Sequence, residues 1–362
     1  MSRLSRQFTV FLGAAALAAG AIGAAPAEAQ YYKGKTITVL VGAGPASGAT
    51  IMARIVSKNL AASVEGNPDV IVKNLPGGAG SKAQNFLYEK ARKDGTTVYY
   101  GFWNGLAQVV GAPGLRFKYE KFEPVGGLKL AGVLVWGRKD AVPTGSDASA
   151  MGKSDPFKIG TIGIQNGRSL MAVLGLEALK ANFTYIGGYR SNGKVRQAVA
   201  SGELTGAVDA IHIYLPIVSK VMKGTQMGYY HVPLIDQAGN VSTNPVLAKY
   251  APSIVDVYKK MHGSEPSGLA WEAFKQSVVL TQSMQHMVMG PPGMNEDAAK
   301  ALEVGLKKAM ASEQFAKDMK NQVIFVPDYV DRATAKKVLA GPSNTPDNLR
   351  QYYKDIIAKY SK

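Results

Sequence analysis

The chain has 362 residues, 42 Lys+Arg against 26 Asp+Glu, a formal net charge of +16 and no cysteine. Hydrophobic residues make up 46% and charged residues 19%, a globular composition that excludes a disordered or collagenous chain. The absent cysteine excludes a disulfide framework, thiolate metal sites and a thiol nucleophile.

The N-terminus reads as an export signal. Arg3 and Arg6 precede an apolar, Ala-rich stretch over 8–25, and Ala27 and Ala29 occupy the small-residue positions of a cleavage site. Cleavage is expected after Ala29. The missing Arg-Arg pair favours the general secretory route. Losing Arg3, Arg6 and Glu28 leaves +15, with 40 basic residues against 25 acidic. No later stretch is apolar enough to span a bilayer. The positive charges are scattered and no nucleic-acid motif is present, so anionic solutes or an anionic membrane surface are the expected partners and nucleic acid is not.

The segment 36–44 is a β-branched apolar run that predicts a buried strand. A helix follows, with Ile51, Ile55, Val56 and Leu60 at helical spacing. A strand over 70–74, the glycine turn 75–80, a helix over 81–93 and a strand over 96–102 complete a β-α-β-α-β unit, the mark of a parallel sheet. After an interruption, strands are predicted over 133–137, 157–163, 183–188, 206–213 and 227–232, and helices over 169–181, 194–202 and 215–223. The Gly/Pro/Ser-rich stretch 141–156 reads as a loop, and 236–270 as loop plus helix. Asn295 caps a helix with Glu296 and Asp297 first and Lys307 and Lys308 late, an order that suits the helix dipole. A strand over 323–327 and a helix over 347–362 close the chain.

Three glycine-bearing loops, 42–50, 75–81 and 160–169, each follow a predicted strand and open a predicted helix. Ligands of open α/β sheets sit at such carboxyl ends, where free amides and the helix dipole favour anions. Glycines that merely make tight turns are the plainer alternative. The first loop reads G-x-G-x-x-x-G, but Lys73 stands where a dinucleotide fold wants an acid, and no Gly-Lys-Ser/Thr follows. There is no G-x-S-x-G elbow, and the four histidines lack metal spacing. Neither cofactor nor metal is expected. Trp103 and Asn104 follow the third strand, where an indole is either core or a stacking wall. Arg168 opens a helix, where a cation is disfavoured by up to ~1 kcal/mol, so it is the candidate fork-like donor for a carboxylate. His212, near a strand end, is either core or a ligand contact.

These residues carry a family resemblance. YYKGKTITVLVGAGPASGATIMARIV, then VIVKNLPGGAGSKAQNFLYEKARKDGTTVYYG, then IGTIGIQNGRSLMAVLGLEAL and GYRSNGKVRQAVASGELTGAVDA, resemble the solute receptors of tripartite tricarboxylate transporters, the Bug-type receptors. GPPGMNEDAAKALEVGLKKAM resembles their C-terminal helix. The resemblance implies an α/β, two-lobed periplasmic binding protein of type II-like architecture, with a mainly parallel sheet in each lobe and a ligand cleft between. The lobes would be 30–131 plus 233–362 and 132–232, after a signal peptide at 1–29. It implies a monomer that binds a small carboxylate and hands it to a small and a large membrane subunit. The family's ligand loops fall here on Ala43, Gly44, Ala46, Ser47, Gly48, Ala49 and Thr50, and on Gly163, Ile164, Gln165, Asn166, Gly167 and Arg168. Trp103, Asn104, Tyr189 and His212 would contribute. Thr50 replaces the family's aspartate, Arg168 and Ser169 replace small polar residues and a histidine, and His212, Ile213 and Tyr214 replace an Asp-Asn. Acids are lost and Arg and aromatics gained, which favours an anionic carboxylate, aromatic or dicarboxylic, over an amino acid. A receptor that feeds a signalling protein, and a periplasmic enzyme acting on carboxylates, are the other function classes.

Overall fold

A computed structural model describes residues 31–142, 147–236, 238–323 and 325–361. The export signal, its cleavage site at Ala29 and part of the 141–156 loop lie outside the described residues.

The chain runs β1 (Thr36–Val41), α1 (Gly48–Ala61), β2 (Asp69–Asn74), α2 (Ser81–Lys90), β3 (Thr97–Phe102), α3 (Gly105–Val110) and β4 (Glu123–Lys129). It continues through β5 (Val133–Arg138), β6 (Phe157–Gly160), α4 (Gly167–Ala178), β7 (Phe183–Ile186), α5 (Asn192–Ser201), β8 (Gly206–Ala210), α6 (Ile211–Ile213), α7 (Ser219–Met222) and β9 (Gln226–His231). The hairpin β10 (Leu234–Ile235) and β11 (Val241–Ser242) precedes α8 (Ile254–His262), α9 (Leu269–Gln282) and β12 (His286–Gly290). The chain ends with α10 (Glu296–Met310), α11 (Glu313–Val323), β13 (Asp328–Val330), α12 (Arg332–Ala340) and α13 (Asp347–Tyr360).

Two main sheets carry the fold. The first has the order β13-β4-β12-β3-β1-β2 and the second β7-β6-β8-β5-β9. Both are mixed. β1 pairs parallel with β2 and β3, whereas β12 runs antiparallel to β3 and β4. β6 pairs parallel with β7 and β8, whereas β5 runs antiparallel to β8 and β9. The expectation of mainly parallel sheets therefore holds on one half of each. The antiparallel half forms because the chain leaves each sheet through one strand and returns through another. The strand predicted over 206–213 ends at Ala210, and the one predicted over 323–327 falls at Asp328–Val330.

Apolar residues fill three layers. Val39, Val41, Val98 and Tyr100 face α1, α10 and α11. Leu134, Trp136 and Ala207 face α5 and the helical turns after β8. The layer between holds Leu40, Tyr99, Ile159, Leu170, Phe274 and Tyr353, and it is continuous from one sheet to the other. Gln285 clasps the first crossover: its Oε1 accepts from the Leu130 N–H at 2.7 Å and its Nε2 donates to the Leu130 carbonyl at 3.4 Å. No helix of the described residues is long and apolar enough to cross a membrane.

Candidate functional site

The carboxyl ends of β1, β2, β3, β6 and β8 converge on a cavity of about 360 Å³ between the two sheets. It shares Gly78, Ala79, Ser81, Asn104, Ile162 and Asn166 with a wider mouth of about 710 Å³.

On the first sheet, the loop after β1 is held by its own side chains. Ser47 caps α1 by accepting from the Thr50 N–H at 3.2 Å. The Thr50 hydroxyl donates to the Gly44 carbonyl at 2.8 Å. The Asn74 amide donates to the Ala43 carbonyl and to Thr50 Oγ1, each at 2.8 Å. An ideal Cβ on Gly42 would lie 2.6 Å from Gly80 Cα, so only glycine lets these two loops touch. Gly42 and Ala43 reach the cavity wall. Gly44, Ala46, Ser47, Gly48, Ala49 and Thr50 do not line it. Thr50 and Ala49 are buried.

Trp103 lines the cavity from within the core. It is 5% exposed, its indole N–H donates to the Met284 carbonyl, and its ring meets Tyr119 edge-on at 5.4 Å. Its burial and hydrogen bond are those of a core residue, and it also forms part of the cavity wall. Asn104 caps α3 by accepting from the Ala107 N–H at 3.2 Å. The Tyr119 hydroxyl donates to Gln84 and accepts from the Asn104 N–H, while Gln84 Nε2 donates to the Phe102 carbonyl.

On the second sheet, Asn166 caps α4 by accepting from the Arg168 and Ser169 N–H groups at 3.1 and 3.4 Å. Asn166, Gly167, Arg168 and Ser169 line the cavity, whereas Gly163, Ile164 and Gln165 line the mouth. An ideal Cβ on Gly167 would lie 2.8 Å from Asn104 Oδ1, so this loop and the β3 end touch across the cleft.

The Arg168 guanidinium forms no hydrogen bond or ion pair among the described residues. Burial pushes its pKa below the usual guanidinium value, nearby Asp209 opposes that shift and Arg196 adds to it. Asp209 is 1% exposed and already satisfied. Arg196 grips both its oxygens at 2.6 and 3.0 Å, and the Trp136 indole adds a bond at 3.2 Å.

His212 does not line the cavity. It stacks on Phe325 at 4.9 Å, and its Nδ1 is buried without a partner among the described residues. Burial, then the Arg168 charge, lowers its pKa to about 4. His286 on β12 hydrogen-bonds Tyr100 at 2.8 Å through Nδ1 and leaves Nε2 buried and unpartnered. Burial, then His212 and Arg168, lowers it to about 3. Tyr189 donates to Glu203 and lies outside both the cavity and its mouth.

The sequence reading missed Gln84, Thr161, Asn192, Asp209, Thr281, Gln282 and Gln285, all in the wall. Two signals were available. Asp209 is the sole charge in an apolar strand, and Thr281–Gln285 is a polar run between an apolar helix and an apolar strand.

No family model matches the chain, and no curated protein matches it in sequence. Solved structures do resemble it. A TctC solute-binding protein from Polaromonas, without ligand, superposes with a TM-score of 0.62 at 14% identity, over 91% of this chain and 99% of that one. MatC of Rhodopseudomonas palustris, with bound malate, gives 0.59 at 18% identity over 89% and 99%. A second R. palustris protein, with adipate, gives 0.58 at 14% identity over 91% and 95%. The chain has the two-lobed α/β fold of the TctC-type solute-binding proteins.

Proposed function

We propose that the chain is an extracytoplasmic receptor that binds a small carboxylate in the inter-lobe cleft. It would deliver that ligand to the small and large membrane subunits of a tripartite tricarboxylate-type transporter. The carrying observation is Arg168, which lines the cavity at the start of a helix and whose guanidinium has no hydrogen bond or ion pair among the described residues. A half-buried cation with no direct ion-pair partner is costly, and a ligand carboxylate supplies that partner. The fold neighbours that hold malate and adipate support the same ligand class.

In this reading the chain is exported, loses residues 1–29 and works in the periplasm as a monomer without catalysis. The lobes are 30–131 plus 233–362 and 132–232. Helix α9 of the returning segment packs on α4 and so straps the lobes together.

A thermal-shift screen of residues 30–362 tests the reading. A carboxylate at about 100 times its Kd adds about 2.7 kcal/mol, which raises Tm by several degrees. A panel of mono-, di- and tricarboxylates that shifts nothing, while a neutral sugar or a cationic amine does, overturns it.

A further inference from the structure

Few charges face this cavity. Among the described lining residues, only Arg168 and Asp209 carry a charge at neutral pH, and none of those lining the mouth does. Asp209 is already held by Arg196 at both oxygens. Arg168, Arg196 and Asp209 together leave one net positive charge at the buried end of the cleft. One carboxylate brings that set to neutrality. A second carboxylate in the same cavity would shed its water and find no cation.

The rest of the wall is uncharged, a mixture of apolar faces and neutral polar side chains. The Phe102 ring is 45% exposed, with Leu115, Leu130 and Val133 also lining the space. Of the neutral polar side chains in the wall, Gln84 and Tyr119 bond each other, Asn104 caps α3, Thr161 bonds Tyr185, Thr281 donates to the Ser277 carbonyl and Gln285 is engaged on Leu130. They offer little to a second anionic head.

We propose that the cleft takes a monocarboxylate with an apolar body, its carboxylate on Arg168 and its hydrocarbon against Phe102, Leu115 and Leu130. This rests on the receptor reading and narrows it, because the neighbours' ligands, malate and adipate, carry two carboxylates.

Calorimetric titration of residues 30–362 with matched pairs tests it: butyrate against succinate, hexanoate against adipate, with benzoate and malate added. Hexanoate or benzoate is expected to bind more tightly than adipate, succinate and malate by roughly tenfold or more. The Arg168→Gln variant is expected to lose hexanoate binding by roughly a hundredfold while its ligand-free melt stays in place. Dicarboxylates that bind as tightly as their monocarboxylate partners overturn the inference and leave the receptor reading standing. Silence across all six acids overturns both. Unchanged hexanoate affinity in Arg168→Gln removes the carboxylate from that side chain and overturns the placement. A melt lowered by several degrees in that variant, with lost binding, sends the test to Phe102→Ala. That change should weaken hexanoate and leave acetate unaffected; equal loss of both overturns the apolar-body assignment.

Discussion

The loop after β1 and the loop after β6 share one local plan: strand, glycine turn, polar N-cap, helix. They meet the cleft differently. Ser47, Thr50 and Asn74 spend their polar atoms on the first loop itself. The second loop spends Asn166 on its cap and brings Arg168 to the cavity wall with no ion-pair partner among the described residues. The same contrast extends to the neighbouring residues. Around the first loop, Trp103, Tyr119 and Gln84 are bonded among themselves or to backbone. One rim is built for rigidity and the other carries the charge, so damage to the first should be read in stability and damage to the second in binding.

Trp103→Ala breaks the rigid rim most severely. It deletes a buried indole and orphans the Met284 carbonyl. The ligand-free protein should lose ~3–5 kcal/mol of stability, read in chemical denaturation. A loss under ~1 kcal/mol with a selective drop in affinity for benzoate would make Trp103 a stacking wall and erase the contrast.

Arg168→Ala is the converse. Removing one partner of a desolvated charge pair costs ~2–5 kcal/mol. Carboxylate affinity should fall by tens to thousands-fold while the ligand-free melt holds, because the half-buried guanidinium makes no hydrogen bond or ion pair among the described residues. Calorimetric titration beside the melts checks both. Unchanged affinity would leave backbone amides as the whole anion site.

The fold was legible in the sequence where hydrophobic runs are long and β-branched, as in Thr36–Val41 and Val133–Arg138. It was illegible where packing forbids side chains. β4 reads EPVGGLK, and its glycines look like a turn; yet a Cβ on Gly127 would lie 2.2 Å from Met284 Sδ. β12 is short and lies between Gln285 and the Pro291–Pro292 pair, so its pairing between β3 and β4 is a tertiary fact. Of the site, Asn166, Gly167 and Arg168 were legible because a cation at a helix start breaks a local rule. In the first loop only Ala43 of the expected residues reaches the cavity wall, because the hydroxyls and amides that could bind an anion here close the turn. Thr281 and Gln285 stand out as a polar run, but their place at the cleft was illegible because only the crossover brings the end of α9 there.

The histidine pair probes both rims together, since His212 follows β8 and His286 lies on β12. Both are neutral in the folded protein, lowered to about 4 and about 3 from 6.5. Below pH 6.5 the unfolded chain takes up protons that the folded chain refuses. The stabilisation is therefore complete above pH 6.5 and is lost as pH falls toward 4. Between pH 6.5 and 5 each imidazole should cost about 2 kcal/mol, read as a falling Tm. Carboxylates such as Asp94 and Asp331, whose pKa values are lowered, add their own loss only below about pH 4. His286→Gln keeps an acceptor for Tyr100 and should flatten the upper window. A slope unchanged in both His286→Gln and His212→Gln would place the acid sensitivity elsewhere.

Thr50→Val is the mildest test and the sharpest one for the first loop. Valine matches threonine in shape, so packing is kept while the hydroxyl goes. The Gly44 carbonyl loses a donor and Asn74 and Ser47 each lose an acceptor, but the Asn74–Ala43 bond remains. Each lost bond contributes about 1 kcal/mol net, so denaturation should show a drop of about 1–3 kcal/mol. Carboxylate affinity should stay within about twofold, because neither Thr50 nor Gly44 lines the cavity. An affinity loss of tenfold with stability intact would mean that the hydroxyl reaches the ligand when the lobes close. The first loop would then be a binding loop like the second, and the division of labour between the rims would fail.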